Sequence, residues 1–75
     1  MDFEIEFEQE TDGRWIAEIP EIPGIIVYGA TPSQAGAKAK ALALRVLADR
    51  MENEDSVSDI NSIAFASRYE SVAVN

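Results

Sequence analysis

Alternating carboxylates open the chain, and their type and spacing could support metal-ion chemistry. Asp2, Glu4, Glu6 and Glu8 occupy every second position of the segment DFEIEFEQ. Many nucleases hold two metal ions with clustered acids. Such a cluster draws its acids from several elements, whereas acids alternating along one strand are typical of a solvated face that discourages edge pairing. The pattern therefore favours a solvent-facing strand over a nuclease site.

The composition removes most other catalytic chemistry. The 75 residues include no histidine and no cysteine. The side chain best suited to proton transfer near neutral pH is therefore missing, as are thiolate nucleophiles, disulfides and cysteine-based zinc sites. We expect a protein with no catalysis of its own, no cofactor and no metal. The absence of a membrane-length apolar run and of a signal peptide makes the cytoplasm the expected compartment.

The net charge of −8 is unevenly distributed. Residues 1–24 carry eight acids and one base, whereas residues 31–51 carry four bases and one acid. An acidic first third repels nucleic-acid phosphates, and the bases of residues 31–51 are typical of a solvated helix face. The same field attracts a basic protein and speeds its encounter.

Apolar periodicity places these residues on secondary structure. Residues 2–9 and 14–19 alternate as two strands around an Asp-Gly hairpin turn, and residues 25–28 form a third, β-branched strand. A helix follows, with Thr31 as N-cap, Pro32 at its first position and Gln34 completing a capping box. It is predicted to end near residue 52. The segment 60–66 is predicted to be a fourth strand.

The predicted fold is α+β with the order β-β-β-α-β, in which a small antiparallel sheet carries one helix on one face. Residues 1–66 form the domain, and residues 67–75 are predicted to be a flexible C-terminal tail. The predicted core residues share apolar stripes on the strands and the helix: Phe3, Ile5, Phe7, Trp15 or Ile16, Leu42, Val46 and Ile63.

The helix also carries a second, narrower apolar stripe. Leu44 and Met51 are its large members, separated by alanines at helical spacing. One sheet requires only one apolar stripe, so the second predicts contact with another copy of the chain, at least as a homodimer. Alternatively, the alanines simply favour helix and the two large residues are exposed.

The segment AEIPEIPG connects the second and third strands through two prolines and a glycine. Its prolines fix the chain path and reduce the entropy lost on folding. A rigid loop presents Glu21 and Ile22 to a partner at low ordering cost. The alternative is that the loop only joins the two strands correctly.

The run DGRWIAEIPEIPGIIVYGAT, preceded by an acidic strand and followed by an alanine- and leucine-rich helix, resembles the HicB family of antitoxins. The resemblance covers roughly residues 2–52 and rests on the D-G-x-[YW]-x-A-x-[VI]-P-[DE]-[LIF]-P-G pattern. It implies a reduced RNase H-like fold and a type II antitoxin that binds and inhibits HicA, a small basic mRNA-cleaving toxin. Many family members add a C-terminal DNA-binding domain. Nothing after residue 52 is long or basic enough for one, so we do not expect direct DNA binding.

Five residues are the predicted contacts to such a toxin. They combine acids that steer the encounter with apolar groups that hold the complex: Trp15, Glu18, Glu21, Ile22 and Tyr28. Trp15 and Tyr28 are also candidates for base stacking, which the lack of basic neighbours other than Arg14 disfavours. The alternative function is a small oligomeric domain that binds a ligand or another protein and has no toxin partner.

Overall fold

The computed structural model describes residues 1–53 and 62–69, which form an α+β fold with one helix and a four-stranded mixed sheet. The order of elements is β-β-β-α-β, as predicted. The elements are β1 (Asp2–Gln9), β2 (Trp15–Glu18), β3 (Ile26–Gly29), α1 (Pro32–Asn53) and β4 (Ala64–Tyr69).

The sheet has the strand order β3-β2-β1-β4. β1 and β2 pair antiparallel, as do β2 and β3, but β4 lies parallel to β1, with Phe3 opposite Phe65. The prediction of an antiparallel sheet is therefore wrong for β4. Parallel neighbours need a crossover connection, and the chain between β3 and β4 contains the long helix α1 that can supply it.

The last strand is displaced from its predicted position. β4 covers Ala64–Tyr69 rather than 60–66, so residues 67–69 belong to the sheet and not to a flexible tail. The Tyr69 ring stacks on Phe7 with 4.8 Å between centroids, and Phe65 stacks on Phe3 at 5.8 Å. These aromatic pairs on one face of the sheet explain why the strand continues. Residues 54–61 and 70–75, which include the predicted connector and most of the predicted tail, lie outside the described residues.

The predicted start of α1 is confirmed, with one change of partner. The Gln34 backbone N–H donates to the Thr31 hydroxyl at 3.0 Å, as an N-cap requires. The Gln34 side-chain oxygen accepts from the backbone N–H of Ala30 at 2.6 Å, one residue before its capping-box partner. The helix ends at Asn53, one residue beyond the predicted end. Within the described part of the chain, no helix is long and apolar enough to cross a membrane.

The core lies between α1 and one face of the sheet. Ile5 and Phe7 are buried as predicted, whereas Leu42, Val46 and the Phe3 ring are half-buried against the core. The largest fully buried side chains are four isoleucines: Ile5, Ile19, Ile22 and Ile25. The helix contributes mainly Ala35, Ala39 and Ala43, each fully buried.

Small residues let α1 approach the sheet closely. A Cβ atom added to Gly29 at the end of β3 would lie 2.6 Å from the backbone nitrogen of Ala35. Since real Cβ atoms do not come that close to backbone, only glycine fits at this crossing. The short distance between helix and strand follows from this pair together with the helical alanines.

Candidate protein-binding face

The loop between β2 and β3 is a pair of consecutive proline turns. The Ile22 N–H donates to the Ile19 carbonyl at 3.1 Å, and the Ile25 N–H donates to the Ile22 carbonyl at 3.4 Å. Each turn has proline at its second position. Gly24, with φ of 90°, supplies the positive angle that a type II turn requires after Pro23.

These turns direct isoleucines into the core rather than toward a partner. Ile19, Ile22 and Ile25 recur every third residue and are 0%, 1% and 2% exposed. The expectation that Ile22 contacts a partner is therefore wrong, because its side chain has almost no accessible surface. Glycine and two prolines at this spacing let a seven-residue loop bury three large side chains.

Glu21 is exposed but has a structural partner. Its Oε2 accepts a hydrogen bond from the backbone N–H of Glu4 in β1 at 3.3 Å. β2 ends at Glu18, and Pro20 cannot donate to a ladder. The carboxylate of Glu21 thus satisfies a strand N–H beyond the point where regular pairing ends.

Among residues 1–53 and 62–69, no helix packs on the face of the sheet opposite α1, and we call this face the open face. Strand register determines its members, because side chains alternate between faces and directly opposed residues share a face. From β3 to β4 it carries the residues that alternate with the buried ones: Ile26, Tyr28, Ile16, Glu18, Asp2, Glu4, Glu6, Glu8 and Arg68.

The half of the open face formed by β1 is strongly acidic. Glu6 lies directly opposite Glu18 in the β1–β2 pair, an arrangement of like charges that destabilises a sheet. Arg68 of β4 approaches Glu4 at 3.5 Å, but both side chains are well exposed, so solvent screens this pair. The carboxylates therefore present a dense negative field to the solvent.

The half formed by β2 and β3 is apolar. Ile16 lies opposite Tyr28, and Ile26 is opposite Glu18. Ile26 is 54% exposed and Tyr28 is 43% exposed, and both are large apolar side chains on the edge strand β3. This apolar group directly adjoins the Glu6–Glu18 pair.

Arg14 lies at the margin of this apolar group. Its guanidinium lies over the Tyr28 ring, 4.7 Å from the centroid. Asp12 holds the arginine with a 2.8 Å ion pair and accepts its backbone N–H at 3.0 Å. This backbone hydrogen bond, followed by the side-chain bond and charge of Arg14, lowers the pKa of Asp12 below its ordinary value of 3.8. The hairpin turn therefore fixes the position of a cation over Tyr28.

The predicted contact residues do not all lie on one surface. Glu18 and Tyr28 share the open face, but Trp15 lies on the helix side, half-buried and edge-on to Tyr69 at 6.2 Å. Several members of the open face were absent from the predicted set, among them Glu6, Ile16 and Ile26, and so was Arg14 at its margin. The strand alternation placed Ile16 with Glu18, but only the register shows which residues of other strands lie beside them.

The second stripe of α1 borders a groove. Ala37 and Lys40 line a cavity of about 330 Å³ against Ser67 and Tyr69 of β4. Leu44 and Met51 continue this side of the helix at helical spacing, and each is 47% exposed. The predicted oligomer contacts are thus accessible and lie on the helix flank that faces β4.

The open-face acids do not form a metal centre in the described structure. Among residues 1–53 and 62–69, no three acids, histidines or cysteines converge as metal ligands. The acids of β1 are spread along one strand, as expected for a solvated face.

The comparisons with known proteins give no relative. No family model matches the chain, and no curated protein or solved structure matches it at a significant level.

Proposed function

We propose that this chain is a HicB-like antitoxin that uses its open face to bind and inhibit a small basic HicA-like toxin. In this proposal the four-stranded sheet with one helix is a reduced RNase H-like fold. The protein has no catalysis of its own and acts by covering the toxin's RNA-cleaving surface. The open face carries the proposal because it combines exposed apolar residues with carboxylates in one surface.

The unfavourable pairing of Glu6 with Glu18 supports a binding role for this face. Two carboxylates opposite each other reduce the stability of the free domain, and a lysine or arginine of a partner placed between them would reverse that effect. The neighbouring apolar group supplies area that gains free energy when water is excluded. A basic protein with an apolar patch beside its cations complements both halves.

The segment that resembles the HicB family, DGRWIAEIPEIPGIIVYGAT, supports the proposal because its residues build the sheet. Asp12 fixes Arg14 at the hairpin, and the two proline turns close the core behind β2 and β3. Gly29 permits the close approach of α1. The pattern thus builds the sheet whose free side is the open face.

The two halves of the open face would have different roles in binding. The acids raise the association rate, which falls with ionic strength. Ile26 and Tyr28 are the apolar anchors, so their loss mainly raises the dissociation rate. Trp15, which packs on the helix side, serves the fold rather than the contact.

A charge-matched pair of variants tests the role of the open face. Glu6→Lys with Glu18→Lys should abolish or strongly slow toxin binding. Asp49→Lys with Glu52→Lys makes the same change in net charge on the exposed side of α1 and should bind nearly as the parent does. Surface plasmon resonance at several salt concentrations gives both rates. Equal losses in the two variants would assign the effect to overall charge and exclude the open face.

Co-expression tests the function itself. The chain is produced together with a candidate HicA-like toxin, sought first in the gene next to its own, and growth, RNA cleavage and complex formation are measured. Rescue of growth with a stable complex on a sizing column supports the antitoxin. Continued arrest with both proteins soluble and no complex would favour the alternative, a small oligomeric domain that binds a ligand or another protein.

A further inference from the structure

The two edges of the sheet are protected very differently. β3 forms one edge and is only four residues long, and a proline turn precedes it. The Lys38 ammonium donates to the outward carbonyl of Tyr28 at 3.1 Å. Lysine side chains and short strands are common means of preventing edge pairing. The β3 edge is therefore closed to a further strand.

The β4 edge is six residues long, and in the described part of the chain it contains no proline and no lysine bonds to its outward carbonyls. The Ala64 N–H donates to the Met1 carbonyl at 2.8 Å, so the backbone groups of Ala64 point toward β1. Because these directions alternate along a strand, the N–H and C=O groups of Phe65, Ser67 and Tyr69 point outward. In the described structure β4 is the last strand of the sheet. It thus offers three outward-facing residues to a further strand.

We propose that a second copy of this chain pairs with β4 antiparallel, about a two-fold axis at Ser67. The result is a continuous eight-stranded sheet with both helices on the same side. This register places Ser67 opposite Ser67 of the second copy, and Phe65 opposite Tyr69 of the second copy. The proposal is independent of the toxin.

The side chains of β4 favour a copy of itself. Residues opposite each other in an antiparallel pair share a face, and the Ser67 register keeps Phe65 and Tyr69 on the helix side of both sheets. The Phe3–Phe65 and Phe7–Tyr69 stacks would then be joined across the axis. Serine at the axis leaves room for these rings. A shift by one residue would oppose Phe65 to Arg68 and turn the second copy over, so that its helix and aromatic rings would lie on the other side of the sheet.

Charge also favours this edge over other surfaces. Two copies with a net charge of −8 repel each other most strongly through their open faces. The described part of β4 carries only Arg68, and the register places Arg68 of the second copy opposite Ala66. The β1 neighbour of Ala66 is Glu4, which already lies 3.5 Å from its own Arg68. The charges nearest the axis are therefore two arginines, each already paired with the Glu4 of its own copy, rather than two rows of carboxylates.

The groove beside α1 adds apolar contact area. Tyr69 is 56% exposed on its margin, and Leu44 and Met51 lie on the helix flank that faces it. A continuous sheet would bring the second helix to the other side of this groove. The second apolar stripe of α1 thereby gains a function that the packing of a single copy does not provide.

Cysteine cross-linking provides a direct test, because the chain has no native cysteine. In the proposed register the two Ser67 Cα atoms lie about 5.5 Å apart, as in any hydrogen-bonded antiparallel pair. That separation permits a disulfide, so Ser67→Cys should give a covalent dimer on mild oxidation. In Ala66→Cys the Cα atoms of position 66 in the two copies lie about 8 Å apart, beyond disulfide reach, and cross-linking should be weak.

A second pair of variants tests the backbone contribution. Ser67→Pro removes an outward N–H and leaves the β1–β4 ladder intact, so light scattering should show a monomer with a native circular dichroism spectrum. Ser67→Thr keeps the N–H and should remain a dimer. A parent chain that is strictly monomeric at high micromolar concentration would overturn the proposal. A dimer in which Ser67→Cys fails to cross-link would also overturn it. The same holds if Ser67→Cys forms a disulfide only with a different protein and not with a second copy.

Discussion

The two faces of the sheet differ in how they use their side chains. On the helix side, Ile5, Ala17 and Ile19 have no accessible surface, and Phe7 is 3% exposed. On the open face, Ile26 and Tyr28 remain about half exposed, and Glu6 opposes Glu18. One face therefore stabilises the domain, whereas the other keeps groups that reduce its stability. A sheet with helix on only one side can separate folding from binding in this way.

The largest contrast between the faces should appear in two isoleucine truncations. Ile22→Ala removes a fully buried side chain and should lower the free energy of unfolding by about 2–4 kcal/mol. Ile26→Ala on the open face should change it by no more than about 0.5 kcal/mol. Urea denaturation followed by Trp15 fluorescence measures both. If Ile22→Ala does not fold, Ile22→Val should still lose about 0.5–1.5 kcal/mol. Equal losses at Ile22 and Ile26 would contradict the difference between the faces.

Substitutions at two glycines test how tightly α1 packs on the helix side of the sheet. Gly29→Ala places a methyl group against the Ala35 backbone and should cost about 1–3 kcal/mol. Gly36→Ala meets only the Phe7 ring edge, at 3.0 Å from Cζ. The ring can shift, and alanine gains about 1 kcal/mol of helix propensity, so this variant should be much less destabilised. Thermal unfolding compares them, and a larger loss at Gly36 would show that α1 rests on Phe7 rather than on β3.

The open face should show the opposite response, in which removal of a charge increases stability. Glu18→Gln relieves the repulsion from Glu6 and should raise the free energy of unfolding by about 0.2–1 kcal/mol at low salt. Glu8→Gln removes the same charge opposite Ile16 and serves as the control. The gain at Glu18 should disappear at 1 M salt, where the Debye length is about 3 Å. An equal gain in both variants would assign the effect to net charge.

The smallest effect is expected at the hairpin, which holds Arg14 over Tyr28. The pKa of Asp12 is lower in the folded protein than its ordinary 3.8, so its carboxylate contributes stability that is present above 3.8. That contribution is lost as the pH falls through the lowered value. Asp12→Asn should therefore lower the urea midpoint slightly at pH 7, and the difference from the parent should shrink as the pH falls below 3.8. A difference that stays constant over this range would exclude the charge of Asp12 as the cause.

Periodicity, together with turn and cap residues, predicted most of the fold. The alternation in β1, the Asp-Gly turn and the Thr31 cap each depend on near neighbours, and all three appear in the structure. The direction of β4 depends on a crossover between residues more than sixty positions apart. No local pattern encodes that direction, and the alternation in 60–66 pointed to a strand a few residues too early.

The site was harder to predict than the fold. Ile22 looked available because prolines usually mark exposed loops, yet the i→i+3 turn geometry rotates every third residue inward. Trp15 and Tyr28 were grouped by chemical type, although register places them on opposite faces. Ile16, Ile26 and Glu6 became candidates only once strand neighbours were known. Pairing between strands is the information that the sequence pattern lacked.

The parallel pairing of the first and last strands has a consequence for synthesis of the chain. The amino group of Met1 donates to the Ser62 carbonyl at 2.8 Å, and β1 pairs with β4 up to Tyr69. β1 therefore leaves the ribosome long before the strand that pairs with its outer edge. β1, β2, β3 and α1 make contacts of shorter sequence separation and can assemble beforehand, whereas closure of β4 is the slow, non-local step. Until β4 has been synthesised, the outer edge of β1 is available to any other extended chain.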